Sequence, residues 1–421
     1  MCIRDRSGAF IKRGEKATPL PTDKSWHFTP RAEAGQPVEP GQLIGVVAES
    51  HTVEHRVLCP PDCRGALAEV KPEGDYTVND VVAIVRADGE ARELTLCQRW
   101  PVRTPRPYAL RQPPHAPLVT GQRVIDTFFP IGRGGAAAIP GGFGTGKTMT
   151  QHALAKWSDA DIIVYVGCGE RGNEMTDVLT EFPKLVDPRT GHPLMERTVL
   201  IANTSNMPVA AREVSIYTGI TIAEYYRSLG NDVVMMMDSI TRVAMAQREV
   251  GLSAGEPPTS KGYTPSVLAL MPKILERAGT SDKGTITGVY TVLVEGDDVN
   301  EPVSDMVRSI IDGHIVLSRK LANRNHYPAI DILQSISRVQ KDVIDDRHRE
   351  LVTQLIEMYA DYTDAEDLIN IGAYVKGSNP RIDRAINRID AINEFLRQGI
   401  DEFTPPEEML ARLAEAVGGK A

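Results

Sequence analysis

Apolar positions follow three different patterns along the chain. Between residue 26 and about residue 100, short apolar segments (WHFTP, GQPVEPGQLIGVV, HRVLCPP, GALAEV, YTVNDVVAIV) alternate with Gly and Pro turns, which predicts many short strands in a small β module. Residues 98–122 (QRWPVRTPRPYALRQPPHAPLVTGQ) hold six prolines and no helical periodicity. They read as an extended connector along a domain edge, and the domain boundary is placed there. From about residue 123, apolar runs at 161–166, 198–202, 233–237 and 286–294 alternate with helical stretches. That alternation predicts an α/β domain around a mainly parallel sheet over 123–340. Beyond 340 the strands stop. Leu351, Leu355, Ile356 and Tyr359, then Ile382, Ile386, Ile389, Phe395 and Leu396, recur at helical spacing, so residues 341–421 read as a helical domain. No internal repeat is evident.

Length agrees with this division, since 421 residues correspond to two or three domains. Apolar residues make up 42% and charged residues 24%, and no apolar run approaches the roughly 20 residues of a membrane span, so a soluble protein is expected. The net charge of −9 and the lack of a basic stripe argue against nucleic acid as a partner, and so against a nucleic-acid motor. Five cysteines (Cys2, Cys59, Cys63, Cys97, Cys168) are too few and too scattered for a disulfide framework and suit a reducing compartment. The pair in CPPDC has no second pair at metal-site spacing and reads as a proline turn. The opening MCIRDRSG carries charge where a secretory signal needs an apolar run. The expected location is cytoplasmic.

Two motifs point toward chemistry. The run GxxVxxGxxIxxV over 35–47 is similar to barrels that carry lipoyl or biotinyl groups, but the following turn, AESHTVEH, has no lysine to modify, so a structural barrel is expected. Residues 141–148 read GGFGTGKT, a full GxxxxGKT match preceded by AAAIP and followed by the helical MTQHALAKW. Strand, loop and helix arrive in the order that lets backbone N–H groups cradle phosphates at a helix N-terminus. Gly141, Gly142, Phe143, Gly144, Thr145, Gly146, Lys147, Thr148 and Met149 are therefore candidate nucleotide contacts. Lys147 would reach the β and γ phosphates, and Thr148 would hold Mg²⁺. Asp238, ending the run VVMMM, supplies a carboxylate to hold the magnesium shell; it also reads as a cap on the helix that follows, and both roles can hold at once. Glu170 and Arg171, directly after DIIVYVGCG, fall at the carboxyl edge of the sheet. There a glutamate can polarise water while an arginine braces it or a phosphate, whereas alone the pair would read as a surface salt bridge.

A resemblance extends this reading. Residues from 7 to about 232 resemble the catalytic subunit of V/A-type rotary ATPases, on WHFTP, TGQRVIDTFFP, GGFGTGKT, TQHALAKWSDADIIVYVGCGERGNEMTDVL and MERTVLIANTSNMPVAAREVSIYTGITIAEYYR. The β module at 7–97 is similar to that subunit's non-homologous region, and MCIRDR (1–6) matches nothing in the family. From about 233 the chain is similar to flagellar and type III export ATPases, on DSITRVAMAQREVGLSAGEPPTSKGYTPSVLALMPKILERAGTSDKGTITGVYTVLVEGDDVNEP, DGHIVLSRKLANRNHYPAIDILQSISRV and DLINIGAYVKGSNPRIDRAI. Two paralogues are joined within the strand leading to Asp238, as a natural hybrid or two merged reads; the unmatched leader favours merged reads.

The resemblance implies an α/β, RecA-like P-loop ATPase core with an N-terminal β-barrel-type insertion module and a C-terminal helical domain. It places Glu170 at the catalytic glutamate, Arg171 beside it, Asp238 and Arg242 in the second motif, Tyr327 against adenine, and Arg338 as an arginine finger in a neighbouring subunit's site. It implies ATP or ADP with Mg²⁺, and a ring of like or paralogous subunits: with a non-catalytic B subunit in the V/A reading, or as a homohexamer in the export reading. It also implies central stalk subunits and a peripheral place at the cytoplasmic side of a membrane. Proton- or sodium-coupled ATP hydrolysis or synthesis ranks first, protein export second. A non-hydrolysing ring subunit is the other alternative, and Glu170 argues against it.

Overall fold

A computed structural model describes residues 20–49, 53–87, 90–108, 110–294, 296, 298 and 300–419; the 1–6 leader lies outside them. The chain divides into two compact units, Met1–Pro107 and Tyr108–Ala421.

The first unit holds β1 (Ser25–Pro30), β2 (Pro37–Val38), β3 (Leu43–Ala48), β4 (Glu54–Leu58), β5 (Gly65–Val70), β6 (Gly74–Thr77), β7 (Val81–Ala87) and β8 (Glu90–Thr95). They form two antiparallel four-stranded sheets, β4-β3-β1-β6 and β2-β5-β7-β8. Inward positions Phe28, Ile44, Leu67, Val82 and Val85 are fully or almost fully buried and form the core, as period-two strands with one covered face require. CPPDC forms a turn with both cysteines buried and Asp62 exposed at its tip, in which the Cys63 amide donates to the Pro60 carbonyl at 3.1 Å. Cys59 Sγ donates to the Cys63 carbonyl, and burial pushes the Cys59 thiol up to about 12.

The second unit opens with β9 (Arg111–Gln112) and α1 (Arg123–Phe128), then alternates β10 (Ala136–Gly141), α2 (Lys147–Trp157), β11 (Ile162–Glu170), α3 (Gly172–Glu181), β12 (Thr198–Thr204), α4 (Val209–Ser228), β13 (Asp232–Asp238), α5 (Ile240–Ser253), α6 (Pro265–Leu275), β14 (Gly279–Ser281), β15 (Thr285–Leu293), α7 (Pro302–Ile310), β16 (Gly313–His314), α8 (Arg319–Asn323) and β17 (Ile336–Ser337). The sheet order is β12-β11-β13-β15-β10-β16-β17, with β14 pairing β15 and β9 pairing β14. Pairings among β10, β11, β12, β13 and β15 are all parallel. Helices cover both faces of such a sheet, and its inner strands are continuously apolar: Val233 to Met237 are at most 1% exposed.

The run expected at 161–166 continues to Glu170. Gly167 and Cys168 still pair with β12, and Gly167 with β13. A side chain at Gly167 would collide with the Met175 thioether, so this glycine permits close helix packing within a strand where its residue type suggests a loop. β13, where the two paralogue-like halves meet, pairs β11 on one side and β15 on the other.

The chain ends with α9 (Gln340–Val343), α10 (Asp346–Asn370), α11 (Pro380–Leu396) and α12 (Pro406–Val417). Asp345 caps α10 and Asn379 caps α11 through their side chains, and Gly418, at φ 84°, closes α12. Leu355, Ile392, Phe395 and Leu413 are the buried seam. No described helix is long and apolar enough to cross a membrane.

Arg123, on α1, fastens this helical part. Its side chain, 2% exposed, donates to the Phe395 carbonyl at 2.7 Å, the Arg397 carbonyl at 2.5 Å, Thr404 Oγ1 at 3.0 Å and Glu402 Oε1 at 2.7 Å.

A second buried charge joins α4 to the end of α6. Arg277 donates from Nε and Nη2 to the Glu224 carboxylate at 2.8 and 2.7 Å, with side chains 4% and 0% exposed. Arg277→Leu strands a buried carboxylate and is expected to cost about 3–5 kcal/mol in urea unfolding. Adding Glu224→Leu removes the stranded charge and should recover part of the loss; a double variant no better than the single one would contradict this.

Candidate functional site

The carboxyl edge of the parallel strands is where ligands of open α/β sheets bind, and β10, β11 and β13 each deliver a motif there. β10 ends at Gly141, and the loop turns through Gly144 (φ 77°) and Gly146 (φ 95°) into α2, whose N-cap Gly146 has no side-chain cap. Positive φ at these two positions favours glycine. The first N–H groups of α2 are thereby left for an anion.

Lys147 Nζ folds back to donate to the Gly141 and Gly142 carbonyls at 2.9 and 2.7 Å, and burial lowers its pKa. Thr145 Oγ1 donates to the Gly142 carbonyl at 2.9 Å and braces the loop from within.

Glu170 ends β11 and Asp238 ends β13, with Gly167 in register opposite Asp238. Asp238 Oδ1 accepts from Thr291 Oγ1 at 2.7 Å and Oδ2 accepts from the Tyr165 hydroxyl at 3.3 Å. The helix-capping alternative for Asp238 does not hold, because the N-cap of α5 is Ser239 and the Asp238 carboxylate is held by side chains of β15 and β11. Glu170, 12% exposed, lies 4.0 Å from Arg242 Nε and accepts from Ser239 Oγ at 3.4 Å. Burial, reinforced by the Asp238 charge and opposed by Arg242, holds its carboxyl above the ordinary range. Burial likewise raises Asp238, against the hydrogen bond from Thr291 and the charge of Lys147.

These groups meet in one cleft of about 680 Å³. Of the residues singled out from the sequence, Phe143, Gly144, Gly146, Lys147, Thr148, Met149, Glu170, Arg171, Asp238, Arg242 and Tyr327 line it. Gly141, Gly142 and Thr145 lie outside its lining. Arg171 forms no salt bridge with Glu170; its guanidinium sits 4.5 Å from the centre of the exposed Phe143 ring. Arg338 is elsewhere: it is exposed after β17, its backbone amide donates to the Asp312 carbonyl at 2.7 Å and its side chain to the Arg308 carbonyl at 3.2 Å.

Arg319 and Glu174 also line the cleft and were not singled out from the sequence. Glu174 is one helical turn past Arg171 and could have been read from that spacing. Arg319 has no local signal and arrives only through the fold.

Comparison with known proteins gives the family. The nucleotide-binding domain of the ATP synthase alpha/beta family matches residues 121–337, the ATP synthase alpha/beta subunit barrel-sandwich domain matches 17–103, and the T3SS EscN ATPase C-terminal domain matches 344–415. The chain is 44% identical to the A subunit of the A-type ATP synthase of Methanopyrus kandleri, over 98% of this chain and 73% of that protein. It is 53% identical to that of Thermococcus sibiricus, over 80% and 59%, and 45% identical to the V-type ATP synthase alpha chain of Halothermothrix orenii, over 96% and 72%.

Among solved structures, a prototypical ATPase from the type III secretion system of pathogenic bacteria superposes with a TM-score of 0.68 at 41% identity, covering 73% of this chain and 87% of that one. The assembled ATPase EscN of enteropathogenic E. coli gives 0.71 at 33% identity, covering 94% and 100%. Likeness to A-type ATP synthases and a type III secretion C-terminal domain thus meet in one chain, as the resemblance implied. The chain belongs to the ATP synthase alpha/beta family and is an ATPase built on its nucleotide-binding domain.

Proposed function

We propose that the cleft converts MgATP to ADP and phosphate, or runs the reverse, as the catalytic subunit of a hexameric rotary ATPase coupled to proton or sodium transport. The observation that carries this is the convergence of Lys147, Glu170 and Asp238 from three strand ends on one cleft. Lys147 exchanges two loop carbonyls for phosphate oxygens. Glu170 accepts a hydrogen bond from the attacking water and orients it, Arg242 and Arg171 balance developing charge, and Tyr327 packs against the base.

The Thr148 hydroxyl and the Asp238 carboxylate are hard oxygen donors suited to Mg²⁺, which when bound neutralises phosphate charge. Among the described residues no group of three or more His, Cys, Asp or Glu could hold a metal alone, so Thr148 and Asp238 would share Mg²⁺ with nucleotide oxygens and water. The ring is formed with like or paralogous subunits around central stalk subunits, peripheral to the cytoplasmic side of a membrane. A second reading, the ATPase of a protein export apparatus, is favoured by the C-terminal domain match at 344–415.

The test is the magnesium dependence of ATP turnover. Asp238→Asn is expected to raise the Mg²⁺ concentration for half-maximal activity by about 10- to 100-fold, with metal-free ATP binding retained. An unchanged magnesium requirement would overturn the metal role.

A further inference from the structure

Two side chains that do not line the cleft are nevertheless tied to it. Tyr165, on β11, is 1% exposed, and Gln151, on α2, is fully buried. The Tyr165 hydroxyl stands 3.3 Å from Asp238 Oδ2 and 3.3 Å from Gln151 Oε1. A phenol has one proton to give, so these two acceptors compete for it. Gln151 Nε2, meanwhile, is buried with no hydrogen-bond partner. An unpaired buried donor beside a donor asked to serve twice is a costly arrangement.

One rotation relieves the competition. The oxygen and nitrogen of a carboxamide are alike in size, and turning the Gln151 amide over sets Nε2 against the phenol oxygen. That oxygen then accepts from Gln151, and its proton has Asp238 as its single destination. The group left unpaired becomes a carbonyl, which tolerates burial better than an N–H does. Accepting one hydrogen bond also strengthens the one donated. The ring itself is held in the core by Phe182, with centroids 5.7 Å apart.

We propose that Gln151 and Tyr165 are positioning residues for Asp238: Gln151 donates to the Tyr165 oxygen and Tyr165 donates to Asp238 Oδ2. This rests on the metal role given to Asp238 above. Thr291 Oγ1 donates to Oδ1 at 2.7 Å, so the carboxylate is gripped on both oxygens. Donors behind a metal-binding carboxylate fix its plane and leave its remaining lone pairs for the ion. The chain has a second end as well. Gln151 follows Lys147 by four residues on α2, about one helical turn. The helix that carries the phosphate loop is therefore joined through two side chains to the carboxylate that serves the metal.

The test is the gain in ADP affinity that Mg²⁺ brings, measured by calorimetry on the full chain with Mg²⁺ and with the metal chelated. Tyr165→Phe keeps the ring and its packing and loses only the hydroxyl. The gain should fall by about 10-fold, with metal-free ADP affinity, a check on folding, unchanged; a purely structural role would move both affinities or neither. Gln151→Leu removes the amide and with it the rival acceptor. The hydroxyl still has Asp238 to bond, so the gain should fall only slightly. An unchanged gain in Tyr165→Phe overturns the proposal. So does an increased gain in Gln151→Leu, because the wild-type hydroxyl would then be spent on Gln151. The underlying reading fails separately: Asp238→Asn should remove most of the gain, and if it removes none, Asp238 does not serve the metal.

Discussion

Replacing Arg338 with alanine is expected to slow ATP turnover by about 10³- to 10⁵-fold, the usual contribution of an arginine finger, while leaving nucleotide binding intact. The reason is its position. Arg338 belongs to no part of its own chain's cleft; it is exposed beyond β17, tethered by its backbone to the Asp312 carbonyl. From there its guanidinium stands clear of its own cleft, and we propose that it serves a neighbouring subunit's site. Mixing Arg338→Ala chains with Lys147→Ala chains should restore activity at interfaces where an intact loop meets an intact finger. Phosphate release measured across mixing ratios, with mixed rings verified by mass, decides it. Absence of rescue in such rings would rule out action in trans.

Glu170→Gln and Lys147→Ala should both abolish useful turnover, by different routes. Lys147 is the cation nearest the phosphate loop, and its loss should weaken ATP binding by about 10- to 100-fold. Glu170→Gln keeps size and the Ser239 contact but removes the negative acceptor that orients water, so kcat should fall by about 10²- to 10⁴-fold with affinity retained. Fluorescent-nucleotide binding beside single-turnover hydrolysis separates the two. Equal loss of affinity in both variants would remove Glu170 from its assigned role.

The site was most legible where chemistry is local. GGFGTGKT announces its strand, turn and helix because glycine conformations and the helix N-terminus are set within eight residues. Asp238 was legible because a buried apolar run ending in a carboxylate is unusual, although its partners Thr291 and Tyr165 come from other strands and its helix-capping alternative fell only on seeing them. GCGE hid four strand residues, since Gly167 resembles a turn until Met175 is packed against it. Arg319 was invisible because it carries no motif of its own and joins the cleft lining only once the chain is folded. The short pairs β9–β14 and β16–β17 were likewise missed, since two- or three-residue strands carry no period to detect.

The fastening of Arg123 has a mechanical consequence. It grips the carbonyl-terminated end of α11 while the adjacent Gln122 borders a hollow beside the phosphate loop, so hollow and helix share one fulcrum. α11 has 17 residues and is therefore about 26 Å long. A tilt of about 10° at the gripped end sweeps the opposite end through about 4–5 Å. That far end adjoins the turn bearing Ile371 and Val375, which are 75% and 70% exposed. Held at one end by Arg123, α11 is therefore a lever whose far, apolar tip would magnify any tilt made at the grip.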